Sequence, residues 1–188
     1  MTQLAKARAG MTTPEMKAVA EKEQVDVQRL RQKIAEGRII IPANINRTRR
    51  EVCGIGEGLS IKVNANIGTS SDKVDLDEEL AKLSVSVEAG ADTVMDLSTG
   101  GDIDLCRKRI LDQSPIPVGT VPIYQAVVET LDQGGGLVHL TVDKIFEVIE
   151  KHVEDGVDFI TVHCGLTRAA LEQLKEQGLF SEGRHSGG

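Results

Sequence analysis

The 188-residue chain has room for one ordinary domain, or for one domain with a small N-terminal appendage. Its net charge of −7 argues against a nucleic-acid partner, whose phosphates would repel it, and no apolar stretch approaches the ~20 residues that a bilayer span needs. With aromatics at 2% and no Trp, the core must come from Val, Ile, Leu and Ala, which favours layered α/β packing with strands buried on both faces.

Met1 to Gly10 has no apolar signal-peptide core, so a cytoplasmic location is expected. Thr13-Pro14-Glu15 reads as a helix start, with Pro near the first helical position and an acid in the first turn. Met16, Val19 and Ala20 continue it at helical spacing. A second helix is predicted from Val25 to Ala35, with Val27, Leu30 and Ile34 on one face and Gly37 as its C-terminal cap. Ile39-Ile40-Ile41-Pro42 is a short strand stopped by proline. The basic run Asn44 to Arg50 and the Gly-punctuated loop Gly54 to Gly58 close this first segment, 1–58.

From 59 to 178 the pattern becomes regular. Strands are predicted at Ile61–Ile67, Thr93–Leu97, Pro117–Val121 and Phe159–His163, with helices near 75–89, 102–113, 122–132, 141–155 and 167–177. Such alternation predicts crossover units and a parallel sheet. Val87-Glu88-Ala89-Gly90-Ala91-Asp92-Thr93-Val94 echoes Val153-Glu154-Asp155-Gly156-Val157-Asp158-Phe159-Ile160, each a helix end, a Gly in the left-handed cap, an Asp and a strand start. About four βα units make half of a (βα)8 TIM-type barrel. The fold class expected is therefore α/β, a partial barrel preceded by a small N-terminal α/β appendage. The polar, Gly-rich end, 179–188, reads as a disordered tail.

In parallel α/β folds ligands bind at the carboxyl ends of the strands. After the first strand, Asn64 and Asn66 are expensive in a buried position unless paired. Gly68-Thr69-Ser70-Ser71 offers N–H groups and hydroxyls to a phosphate, or else forms a turn with Ser71 or Asp72 as helix cap. After the second, Asp96 suits a sugar hydroxyl, a cation or a loop anchor, and Met95 suits core filling. After the third stands the chain's one Tyr, Tyr124. After the fourth stands His163, able to donate or accept near neutral pH. His139 and His152 are expected to be solvated. Cys53, Cys106 and Cys164 are spread along the chain without a Cys-x-x-Cys, and are read as small buried hydrophobes.

Taken together, Lys62-Val63-Asn64-Ala65-Asn66-Ile67-Gly68, Gly90 to Gly100, Ser114-Pro115-Ile116-Pro117 through Tyr124-Gln125, and Gly156-Val157-Asp158 through His163-Cys164-Gly165 resemble the N-terminal half of the phosphomethylpyrimidine synthase family of thiamine biosynthesis. Thr13-Pro14-Glu15-Met16 and Ile40 to Asn46 match as well. The resemblance implies a radical S-adenosylmethionine (SAM) carbon–carbon lyase of the cytoplasm, often dimeric. It converts aminoimidazole ribotide into hydroxymethylpyrimidine phosphate with a 4Fe-4S cluster, SAM and a zinc-type divalent metal. It further implies Asn66, Met95, Tyr124 and His163 as ribotide contacts. The family's Ser-Arg-Gly-Gly loop, metal-binding His motifs and Cys-x-x-Cys-x-x-x-x-Cys segment have no counterpart here. The expectation is therefore a truncated chain, inactive alone, that forms a homodimer or associates with a complementary C-terminal half. Two alternatives follow from the same motifs: a hydroxybenzimidazole synthase-type paralogue making a cobalamin lower ligand, and a catalytically silent ribotide-binding fragment.

Overall fold

The computed structural model describes residues 1–47, 51–165 and 167–178; the tail expected over 179–188 and part of the basic run, 48–50, lie outside the described residues. Three short helices open the chain, α1 (Gln3–Arg8), α2 (Pro14–Lys22) and α3 (Val27–Ala35). α2 begins as its sequence predicts, with Pro14 in the first turn and the Thr13 hydroxyl accepting from the Met16 N–H at 3.2 Å. Met16, Val19, Leu30 and Ile34 bury together with Ile39 and Ile41 as one apolar cluster. β1 (Ile39–Ile40) pairs antiparallel with β2 (Ile55–Gly56), so the Gly-punctuated loop holds a strand.

The remainder runs β3 (Asn64–Ile67), α4 (Leu76–Glu88), β4 (Thr93–Asp96), α5 (Ile103–Gln113), β5 (Val118–Thr120), α6 (Pro122–Asp132), α7 (Val142–Asp155), β6 (Phe159–Ile160) and α8 (Arg168–Glu176). The four strands form one sheet in the order β3-β4-β5-β6, every neighbouring pair parallel. The fold is thus α/β with a four-stranded parallel sheet. Both members of the internal echo do the same work. Gly90 and Gly156 take φ of 87° and 106°, and the following aspartates accept an N–H from the neighbouring strand's start: Val63 to Asp92 at 2.9 Å, Val118 to Asp158 at 3.0 Å.

Register sorts the strand residues onto two faces, since successive side chains alternate. Ile67, Val94, Val118 and Ile160 face the helices and pack with Leu83, Cys106 and Ile110. Val94, Val118 and Ile110 are wholly buried, each such side chain stabilising the fold by about 1.5–3 kcal/mol. The other face carries the row Asn66, Met95, Gly119 and Phe159, and is open. The expectation of strands buried on both faces is corrected here: helices cover one side only. For that reason Asn64 and Asn66 are exposed and need no buried partners.

The N-terminal helices are joined to this sheet near the amino ends of its strands. Glu23 and Lys62 form an ion pair at 2.8 Å, with both side chains 7% exposed. Arg47 reaches the turn between α5 and β5, donating to the carbonyls of Leu111 at 3.2 Å and Ile116 at 3.1 Å, to the Ser114 carbonyl, and to the Asp158 carboxylate just before β6. Among the described residues no helix is long and apolar enough to cross a membrane.

Candidate functional site

The carboxyl ends of the four strands bring the expected residues to one rim. Asn66 and Met95 are direct cross-strand partners. Asn66 Oδ1 accepts from Asn64 Nδ2 at 2.9 Å, and Asn64 Oδ1 accepts from the Thr93 hydroxyl at 2.8 Å, so the carboxamides are oriented along β3. Tyr124, in the first turn of α6, stacks on His163 beyond β6, with ring centroids 6.1 Å apart and planes 28° apart. The Thr161 hydroxyl contacts Met95 Sδ at 3.8 Å, two residues before His163, and so links the two pairs. Gly119 sits between them in the row. A Cβ there would collide with the Phe159 ring, which lies across the strand as part of the open face.

The loop after β3 spends its backbone N–H groups on α4, on the loop after β4 and on itself. The Gly68 N–H goes to Glu79 Oε2 at 2.6 Å, the Thr69 N–H to Ser98 Oγ at 3.1 Å and the Ser70 N–H to the Lys73 carbonyl at 3.0 Å. Gly68-Thr69-Ser70-Ser71 is therefore a closed turn, with those three N–H groups already bonded rather than offered to a phosphate. The cap of α4 is Asp75, not Ser71 or Asp72, because the Ser70–Lys73 bridge intervenes before the helix. Asp96 faces the helices and anchors its loop, accepting from the N–H of Ser98 at 3.0 Å and from its hydroxyl. Burial pushes its carboxyl pKa up, against the lowering effect of those bonds.

Behind the rim lies a buried polar network that the sequence reading missed. Arg107 is fully buried and donates to Asp155 at 3.0 and 2.6 Å, to Asp104 at 2.6 Å and to Gln125 Oε1 at 2.6 Å. His152, expected to be solvated, is 3% exposed, with Nδ1 2.8 Å from the Thr120 hydroxyl and Nε2 2.8 Å from Gln125 Oε1. Burial, reinforced by the Arg107 charge, lowers its pKa from 6.5 to about 4. Burial also works to raise the Asp104 carboxyl, but bonds from Lys151, Gln125 and Arg107 prevail and hold it below the carboxylate range. The signal was present in sequence. His152 lies four residues after the buried Val148, on the inward stripe of α7. Cys53 and Cys106 are buried as expected; Cys164 is exposed, because it lies past the end of the β6 ladder.

A profile described as the Radical SAM ThiC family matches residues 2–186. The chain belongs to the radical SAM ThiC family. Among curated proteins the ThiC-family chain is 54% identical to a phosphomethylpyrimidine synthase of Desulforamulus reducens over 182 residues, covering 97% of this chain and 42% of the relative. It is 53% identical to one of Moorella thermoacetica with the same coverage, and 51% identical to phosphomethylpyrimidine synthase 1 of Methanothermobacter thermautotrophicus over 95% of this chain and 41% of that one. The chain thus spans about 42% of the length of these curated relatives.

Membership of a radical SAM family implies SAM and an iron–sulfur cluster. The described residues of this ThiC-family chain do not fit the cluster. Cys53, Cys106 and Cys164 lie in the N-terminal segment, in the sheet core and on the surface beyond β6. Among the described residues no three of His, Cys, Asp and Glu come together in a way that could hold a metal ion.

Proposed function

We propose that this chain supplies the ribotide-binding side of a phosphomethylpyrimidine synthase, the thiamine-pathway enzyme that converts aminoimidazole ribotide into hydroxymethylpyrimidine phosphate. The observation that carries the reading is the open rim: four parallel strand ends presenting Asn66, Met95, Tyr124 and His163 toward one side. His163 takes the phosphate or ribose end, while Asn66 and Tyr124 fix the orientation of the rings and Met95 supplies a soft apolar wall. These residues bind and orient; the reading gives them no part in holding the cluster or a divalent metal.

In this reading the four βα units, 59–178, are half of a TIM-type barrel, the open face is its interior, and 1–58 is an appendage at the opposite end. Uncovered sheet faces and strand edges favour association, with a second copy or with a chain carrying the complementary half. Free thiols at all three cysteines suit the reducing cytoplasm.

Isothermal calorimetry with aminoimidazole ribotide tests the assignment. Binding heat is expected, and His163→Ala and Asn66→Ala each weaken affinity by about tenfold, the equivalent of one lost polar contact of ~1.4 kcal/mol. A folded sample that gives no heat refutes the reading.

A further inference from the structure

The helix turn that carries Tyr124 lacks the usual anchor. α6 starts at Pro122 behind Val121, whose side chain makes no cap bond. The turn is held instead at the next residue. Gln125 is 3% exposed, and its amide has every position filled. Nε2 donates to Asp104 at 2.8 Å and to Glu129 at 2.7 Å, while Oε1 receives Arg107 at 2.6 Å and faces His152 Nε2 at 2.8 Å.

Those two acidic acceptors fix which end of the amide is nitrogen, so an oxygen faces the imidazole. His152 Nε2 also lies 3.0 Å from Arg107 Nη1, and its Nδ1 lies 2.8 Å from the Thr120 hydroxyl, so in either tautomer the imidazole bridges Thr120 and the Gln125–Arg107 pair. Thr120 ends β5, two residues before α6 begins. The chain of bonds therefore runs from the strand end through α7 and back to the first turn of α6. Neighbouring residues on a helix point about 100° apart, so any rotation that breaks the Gln125 bonds swings the Tyr124 ring.

We propose that Gln125 is a positioning residue for the substrate rim: clamped by Arg107 and His152, it sets the rotation of α6 and keeps the Tyr124 ring against His163. The role for ribotide rests on the binding function proposed above. The seating of Tyr124 does not.

The 188-residue chain has one Tyr, three Phe and no Trp, so its ultraviolet emission, excited beyond the Phe absorption band, reports the Tyr124 ring alone. Time-resolved emission anisotropy then separates a ring that turns with the protein from one that wobbles. The wild type is expected to show the first behaviour and His163→Ala, the freed-ring reference, the second. Gln125→Ala should move to the His163→Ala value with its far-ultraviolet circular dichroism intact, and ribotide affinity should fall by about tenfold through lost preorganisation. Thr120→Val, which deletes only the hydroxyl holding His152, should shift both readouts in the same direction by less; it decides the matter if Gln125→Ala fails to fold. Leu83→Ala, a cavity in the sheet–helix core, is the control for plain destabilisation and should move neither. Wild-type anisotropy and affinity in a folded Gln125→Ala or Thr120→Val overturn the proposal. If the wild type binds no ribotide, the binding function falls and the anisotropy alone still decides the seating of Tyr124.

Discussion

Arg47→Ala should be among the most damaging single changes in the molecule. Arg47 is 8% exposed, and the side chain of Asp158, its partner, is fully buried. Removing the guanidinium takes a charged donor from the Asp158 carboxylate and a donor from the carbonyls of Leu111, Ser114 and Ile116. Breaking a buried pair from one side costs about 3–5 kcal/mol. Asp158 keeps two backbone donors, Asn44 N–H and Val118 N–H, both at 3.0 Å, which places the loss at the lower end, about 3 kcal/mol. With a urea slope of about 2 kcal/mol/M, the unfolding midpoint should drop by ~1.5 M, followed by circular dichroism. Asp158→Asn keeps an acceptor for those donors and should cost less, about 1–2 kcal/mol. The double variant should lose less than the sum of the singles, because each single change already removes the Arg47–Asp158 pair. An Arg47→Ala midpoint within ~0.3 M of wild type would refute the view that this clamp joins the N-terminal segment to the sheet.

Two further outcomes follow from the buried groups. Because His152 titrates at about 4 in the fold and near 6.5 when unfolded, the unfolded chain holds more protons between those values. Stability should be complete above pH ~6.5 and fall by up to about 3 kcal/mol as pH drops toward 4, as read from urea midpoints; His152→Gln should flatten that interval, and an unchanged slope would contradict the buried neutral imidazole. A thiol-reactive dye at neutral pH should label Cys164 at once and Cys53 and Cys106 only in denaturant, since burial raises both thiols, that of Cys106 to about 11. A fast-reacting Cys106 would show that the sheet core opens.

Much of the fold was legible because the signals were periodic. The four strands and the helices between them stand where alternating runs and amphipathic stretches put them, and Gly90 and Gly156 carry the positive φ that their turn chemistry demands. What escaped lacked a period or depended on distant neighbours. α1 is six residues long and β2 is two, too short for either repeat to register. The strands expected at 61–67, 117–121 and 159–163 are shorter in the fold, as β3, β5 and β6, because the apolar runs extend past the residues that pair in the ladder. Asn64 and Asn66 looked costly only on the assumption that both sheet faces are covered. At the rim, Tyr124 and His163 do meet, and Asn66 and Met95 do share a register row. The Arg107–Gln125–His152 cluster joins residues up to 45 apart along the chain; the inward stripe of α7 marks His152, but no local pattern announces its partners.

The interlocking of the loops after β3 and β4 has a practical side. At Gly68 an added carbon would strike the backbone of Ser98, and at Gly100 that of Ser70, so each loop is the other's mould. Lengthening either one therefore distorts both, and with them the ends that present Asn66 and Met95. Gly134, after α6, has nothing within 4 Å of the place a side chain would occupy but holds φ at 78°, so that turn suits an inserted tag with the glycine kept rather than a label substituted at it.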